Sequence, residues 1–298
     1  CFPGCECPDC KQLTGDLKDP LFNLRGHSEL IHNYYVKVAK EVQQRWPDRW
    51  LACGAYASYA LPPQSIAKYP DNVRIDLCVM DGIVLHKEPF LWTRWAEAIQ
   101  AYHRMTGQKI YVWNYLCWPH QSTQAPMHCP ELFVKWNREQ AAHIEGQFYC
   151  GLGRNPALDH LNAYFMMKSL WNPDFTVAAA LDEYYTLCFG PAAPAMKRFY
   201  DTLIDRWTNI AWGDDKLGRV GGGSVPMDKL YGETYPAEVR TQLQAIAAEA
   251  RKAAPTGSDF QKRTELVLAA HEPFFKEAEL YAKISGRGAI MYAAPHAA

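Results

Sequence analysis

Apolar positions along the chain fall into two alternating rhythms, one of period near 3.6 and one of short continuous runs. After Ser28, a residue suited to start a helix, Leu30, Ile31, Tyr34, Tyr35, Val38, Val42 and Trp46 recur at three- and four-residue steps until Pro47. The run WLACGAYASY, closed by Pro62 and Pro63, then reads as a buried strand, and NVRIDLCVM reads as a second. A helical pattern carrying Trp92, Trp95, Ile99 and Tyr102 stops at Gly107, and KIYVWNYL follows as a third strand. Pro130 opens another helix with Leu132, Phe133 and Trp136, and IEGQFYCG supplies a fourth strand.

Apolar strands separated by helices predict a parallel sheet, because parallel neighbours must be joined by crossovers that pack back on the sheet. The link SIAKYPD between the first two strands carries no helix of its own, a departure from ideal alternation. The rest of the chain reads as helical: LDHLNAYFMMKSLW, then VAAALDEYYTLCF up to Gly190, then a segment from Pro194 to Trp207. Two closing helices, at about 236–254 and 258–285, follow the glycine-rich stretch GDDKLGRVGGGSVP. The expected fold class is α/β: the C-terminal half of a (β/α)8 barrel with about four parallel strands, then an α-helical C-terminal region. The expected organisation is a Cys-rich barrel loop at 1–27, the second half of the barrel at 28–172 and the helical region at 173–298. Half a barrel leaves sheet edges and an apolar face uncovered, so the chain reads as a fragment that is aggregation-prone alone, and its start at Cys1 agrees.

Composition narrows the function. Thirty-one basic against thirty-two acidic side chains leave a net charge of −1, which provides no field to draw in nucleic acid or an anionic membrane. No apolar run reaches the roughly 18 residues of a membrane span, and CFPGCECPDC lacks the features of a signal peptide. Ten Trp and seventeen Tyr suit stacking on sugar faces, and equally suit a well-filled core.

In a parallel barrel the reactive side chains sit at the carboxyl ends of the strands. That rule selects Tyr56, Ser58 and Tyr59 after the first strand and Asp81 after the second. It selects Asn114, Tyr115 and Trp118 after the third, and Tyr149 and Cys150 after the fourth. Asp81 is the one carboxylate in this set: beside a buried strand and aromatics it suits a general acid, and in DGIV it equally suits a turn cap. Tyr56, Tyr59, Asn114, Tyr115, Trp118 and Tyr149 are the candidate substrate-binding residues. Glycoside hydrolysis ordinarily uses two carboxyl groups, so a second would come from elsewhere or be replaced by a substrate acetamide.

Cys1, Cys5, Cys7 and Cys10 place four thiols in ten residues, enough in number for tetrahedral zinc. The C-x-C spacing sets two of them awkwardly close, which favours a disulfide or free thiols in a surface loop, and no metal or other cofactor is expected. Cys150, with His143 and His160 near in sequence, has packing as its simplest role. His86, His120 and His128 lack the company of a metal motif.

Several segments taken together resemble the bacterial family catalogued as domain of unknown function 4838, part of which is classed as glycoside hydrolase family 163. They are CECPDC, VAKEVQQRWPD, ACGAYASYALPP, VRIDLCVMDG, IYVWNYL, IEGQFYCG, LNAYFMMKSLWNPD and EYYTLCFGPAAPAMKRFY. The resemblance implies a (β/α)8 barrel after a smaller α/β domain, with this chain holding the last four strands. It also implies a secreted or periplasmic protein acting on glycans, in one branch by endo-β-N-acetylglucosaminidase-like cleavage between N-acetylglucosamine units. The family pattern implies a Glu after the second strand, where this chain has Asp81, and Phe-Glu after the fourth, where it has Phe148 and Tyr149. A barrel that binds carbohydrate without cleaving it therefore stands as the alternative.

Overall fold

The structure, a computed structural model, describes residues 7–79, 89–115, 125–150, 156–172, 174–211 and 228–285. Two short helices, α1 (Pro8–Gln12) and α2 (Phe22–Arg25), precede α3 (Ser28–Arg45). The sheet begins with β1 (Leu51–Ala55), a single 3-10 turn (Ala57–Tyr59) and β2 (Val73–Val79). Strict alternation follows: α4 (Pro89–Thr106), β3 (Ile110–Tyr115), α5 (Pro130–Gln140), β4 (Ile144–Cys150) and α6 (Pro156–Trp171). The first crossover indeed has no α-helix, as its sequence indicated.

The four strands are all parallel and lie in chain order β1-β2-β3-β4. This is an α/β fold consistent with half of a (β/α)8 barrel. Alternation gives the sheet two unlike faces. Cys53, Ile75, Leu77, Val79 and Val112 are buried; α3 packs against β1 and α4 against β2 and β3, and α5 reaches Gln147 and Tyr149 through Asn137. Register then assigns Ala52, Gly54, Arg74, Asp76, Cys78, Tyr111, Trp113 and Phe148 to the opposite face. That face is open: Tyr111 and Phe148 remain 46% and 54% exposed. In a closed barrel it would be the interior.

The helical region comprises α7 (Val177–Phe189), α8 (Ala193–Asp205), α9 (Ala237–Ala253) and α10 (Asp259–Ser285). Two π-helical turns, Arg206–Ala211 and Lys229–Thr234, flank residues outside the description, among them the whole glycine-rich stretch. Gly190 ends α7 at φ +52°, where a Cβ would come within 2.8 Å of the Phe260 ring. Glycine is therefore required there both by backbone conformation and by the close approach of α10. The helical region meets the barrel half through α6 and α10, and through the Tyr235 hydroxyl, which donates to the Pro126 carbonyl at 3.2 Å.

Candidate functional site

The carboxyl ends of the strands carry the residues singled out from the sequence. Tyr56 continues β1 in extended conformation (φ −141°, ψ 145°) beyond buried Ala55, and so takes the parity of the open face. The chain then turns sharply at Ala57, whose φ of +45° makes it the non-glycine residue with positive φ among the described residues. Such a conformation costs of order 1 kcal/mol in a residue with a Cβ.

A buried histidine fixes this turn. Nε2 of His32 lies 2.9 Å from the Tyr59 carbonyl oxygen, which can only accept, so Nε2 carries the proton. Nδ1 then accepts from the Tyr69 hydroxyl at 2.7 Å, and the Tyr102 hydroxyl donates to the Ala60 carbonyl at 3.0 Å. Burial pushes His32 down to about 4, so the ring is neutral and its bonds persist at neutral pH. Ser58 turns inward instead, its hydroxyl 2.9 Å from Nδ1 of His27.

The Tyr59 ring lies edge-on to His32, 6.5 Å between centroids. Burial raises its phenol, and the nearby Cys78 and Tyr56 raise it further. Cys78, on the open face, is pushed up to about 12, chiefly by burial, with Asp76 and Cys150 adding to the shift. Its thiol stays protonated and is a poor nucleophile. Asp76 is raised by burial alone. Behind these groups stands an aromatic band: the Trp113 and Phe148 rings are 4.2 Å apart, and the Tyr111 ring lies over Gly146, within 3.2 Å of where a Cβ would sit. Arg74 stacks on Trp50 with its guanidinium carbon 3.5 Å from the ring centroid.

Asn114 and Tyr149 are register partners on β3 and β4, so the structure brings these two together. Asn114 also pairs with Val79, whose side chain is on the helix-covered face, and it is itself buried. The Tyr149 hydroxyl is 3.5 Å from Oδ1 of Asn137 on α5, and burial raises its phenol against the opposing effect of that bond. Gln147, two residues earlier, donates to the same oxygen at 2.8 Å. Both predicted residues therefore point toward the helices, opposite to Asp76 and Trp113. Tyr115 belongs to β3, though its side chain is outside the description; Asp81, Trp118, His86 and His120 lie outside the described residues altogether.

Two carboxylates escaped the sequence reading. Asp76 stands in the middle of the apolar run NVRIDLCVM, where its inward parity becomes visible only with the register. Asp159 lies in the first turn of α6, just after β4, and burial pushes it up to about 6. A helix N-terminus should lower a carboxyl, so desolvation outweighs the dipole here. Its position looked ordinary for an acidic residue in a first helical turn, and no sequence signal distinguished it.

Cys1 and Cys5 lie outside the described residues, and among the described residues no group of three or more His, Cys, Asp or Glu is arranged to hold a metal. Likewise no described helix is long and apolar enough to cross a membrane.

Residues 2–201, or 200 of the 298, match the model of the family described as domain of unknown function, DUF4838. The chain belongs to this family. The match takes in all four strands, α7 and most of α8, and stops before α9 and α10. Comparison with curated proteins and with solved structures finds no match.

Proposed function

We propose that this DUF4838 member is a glycoside hydrolase-like protein, related to glycoside hydrolase family 163, acting on glycans that contain N-acetylglucosamine. The observation that carries this reading is the open sheet face, where a carboxyl raised by burial, Asp76, shares a surface with Trp113, Phe148 and Tyr111. Aromatic faces bind the apolar face of a pyranose, and burial that raises a carboxyl favours the protonated form that acts on a glycosidic oxygen.

In this proposal Asp81, beyond the carboxyl end of β2, is the acid or orients the substrate acetamide. Asp159, at the same end of β4 and pushed up to about 6, is the second carboxyl that two-group hydrolysis needs. Tyr56, Tyr59, Tyr115 and Trp118 bind sugar at the carboxyl-end rim, and Asn114 and Tyr149 support that rim from the helix side. Release of reducing sugar from N-glycans and chitooligosaccharides tests the reading. Turnover that falls in Asp81→Asn and Asp159→Asn supports it, and turnover unchanged in both refutes these assignments.

A second reading, a barrel that binds carbohydrate without cleaving it, is favoured by one observation. The inward positions of β4 are Gly146, Phe148 and Cys150, without a carboxyl, and Tyr149 is turned to the helices. Calorimetry separates the two: saturable binding with no reducing-end release favours the second.

A further inference from the structure

His128, just before α5, and His271, in the middle of α10, are 143 residues apart in the chain and meet with Nε2 to Nε2 at 3.1 Å. Each is 1% exposed. Nδ1 of His271 lies 2.8 Å from the Val267 carbonyl oxygen, which can only accept, so Nδ1 carries the proton and Nε2 offers a lone pair. His128 must then donate from Nε2, which leaves its Nδ1 a bare acceptor, buried and without a hydrogen-bond partner among the described residues. Each ring is thus neutral, and the tautomer of one dictates that of the other.

We infer that the His128–His271 contact is an acid-sensitive latch that holds α10 on the barrel half. A proton added at Nε2 of His271 sets N–H against N–H across the 3.1 Å contact. One added at Nδ1 of His128 creates a buried imidazolium whose new N–H has no acceptor. The first outcome breaks the contact; the second keeps the bond from His128 Nε2 but buries a charge and an N–H that has no acceptor among the described residues, so both destabilise the docked state. The titratable groups around the pair are His160 on α6, Tyr184 and Tyr185 on α7 and Tyr200 on α8. His160 is itself committed: its Nδ1 donates to the Ala157 carbonyl at 2.9 Å, and its Nε2 accepts from the Tyr184 hydroxyl. Asp159 adjoins His160 but loses its charge near pH 6, so it does not compensate an imidazolium below that pH.

Burial holds both rings below the ordinary histidine value, His271 at about 4 against 6.5 when released. The latched state therefore binds fewer protons than the open one, and its advantage is full above 6.5 and declines as pH falls toward 4. One such histidine favours opening by roughly twentyfold between pH 7 and pH 5.

Hydrogen exchange on the full chain, corrected for intrinsic rates, tests this. Protection of α10 amides relative to β2 and β3 amides should fall at least about tenfold from pH 7 to pH 5; the fall should shrink in His271→Gln and in His128→Gln and vanish in the variant that carries both. His32→Gln is the control, because that ring titrates in the same range but belongs to α3 and bonds to Tyr59 and Tyr69, away from α10. A pH-independent ratio in the wild type overturns the latch, as does a fall undiminished in the variant that carries both substitutions, or one that disappears in His32→Gln. Should the latch variants not fold, nitrogen-15 shifts of the wild-type rings decide: neutral rings at pH 6 support the latch, and an imidazolium at either position in the folded protein ends it.

Discussion

The Tyr149 hydroxyl lies 3.5 Å from the Asn137 amide oxygen, on the face of the sheet opposite Asp76. A residue at the carboxyl end of a strand thus serves the helix layer, while its neighbours in sequence, Phe148 and Cys150, belong to the open face. Tyr149→Phe removes one weak, buried hydrogen bond, so it should cost about 1 kcal/mol of stability. Urea unfolding reads that loss, and glycan affinity should be unchanged by the same substitution.

Asp159 gives a pH signature of its own. Its folded value of about 6 is above the unfolded 3.8, so its contribution is favourable at low pH and is lost as pH rises through 6. Asp159→Asn should therefore stabilise the protein at pH 8, by about 2 to 3 kcal/mol at most, with the gain gone near pH 4. Urea unfolding of both proteins at the two pH values checks the sign.

Gly190 and Gly257 separate two causes of glycine dependence. Both have positive φ, but a Cβ on Gly190 meets the Phe260 ring at 2.8 Å whereas one on Gly257 meets nothing within 4 Å. Gly257→Ala should cost about 1 kcal/mol, from backbone conformation alone. Gly190→Ala should cost more, roughly 2 to 3 kcal/mol, because α10 must also shift. Thermal unfolding of the two variants side by side measures the difference.

At Ala57 the opposite change is expected. Its φ of +45° is relaxed by glycine, so Ala57→Gly should be neutral or stabilising by up to about 1 kcal/mol, where most alanine-to-glycine changes destabilise. Denaturant midpoints decide this.

The sheet and the helices were legible because their apolar periods differ: the run at 72–80 and the three- and four-residue steps from Leu30 to Trp46 leave little ambiguity. The faces of the strands were not. IYVWNY and IEGQFYC carry large side chains at both parities, so alternation alone does not tell Trp113 from Asn114 or Phe148 from Tyr149. That choice is made by Asn137, which meets Tyr149 and Gln147 from α5, and by the registers Val79–Asn114 and Cys78–Trp113. The contact between His128 and His271 depends on docking α10, which no local pattern encodes.

Calorimetric titration of chitotetraose into the wild type, Trp113→Ala and Tyr149→Phe tests most directly whether the open face is the sugar face. About tenfold or greater weakening is expected in Trp113→Ala, and no change in Tyr149→Phe. Unchanged affinity in folded Trp113→Ala, or an equal loss in Tyr149→Phe, would contradict that assignment.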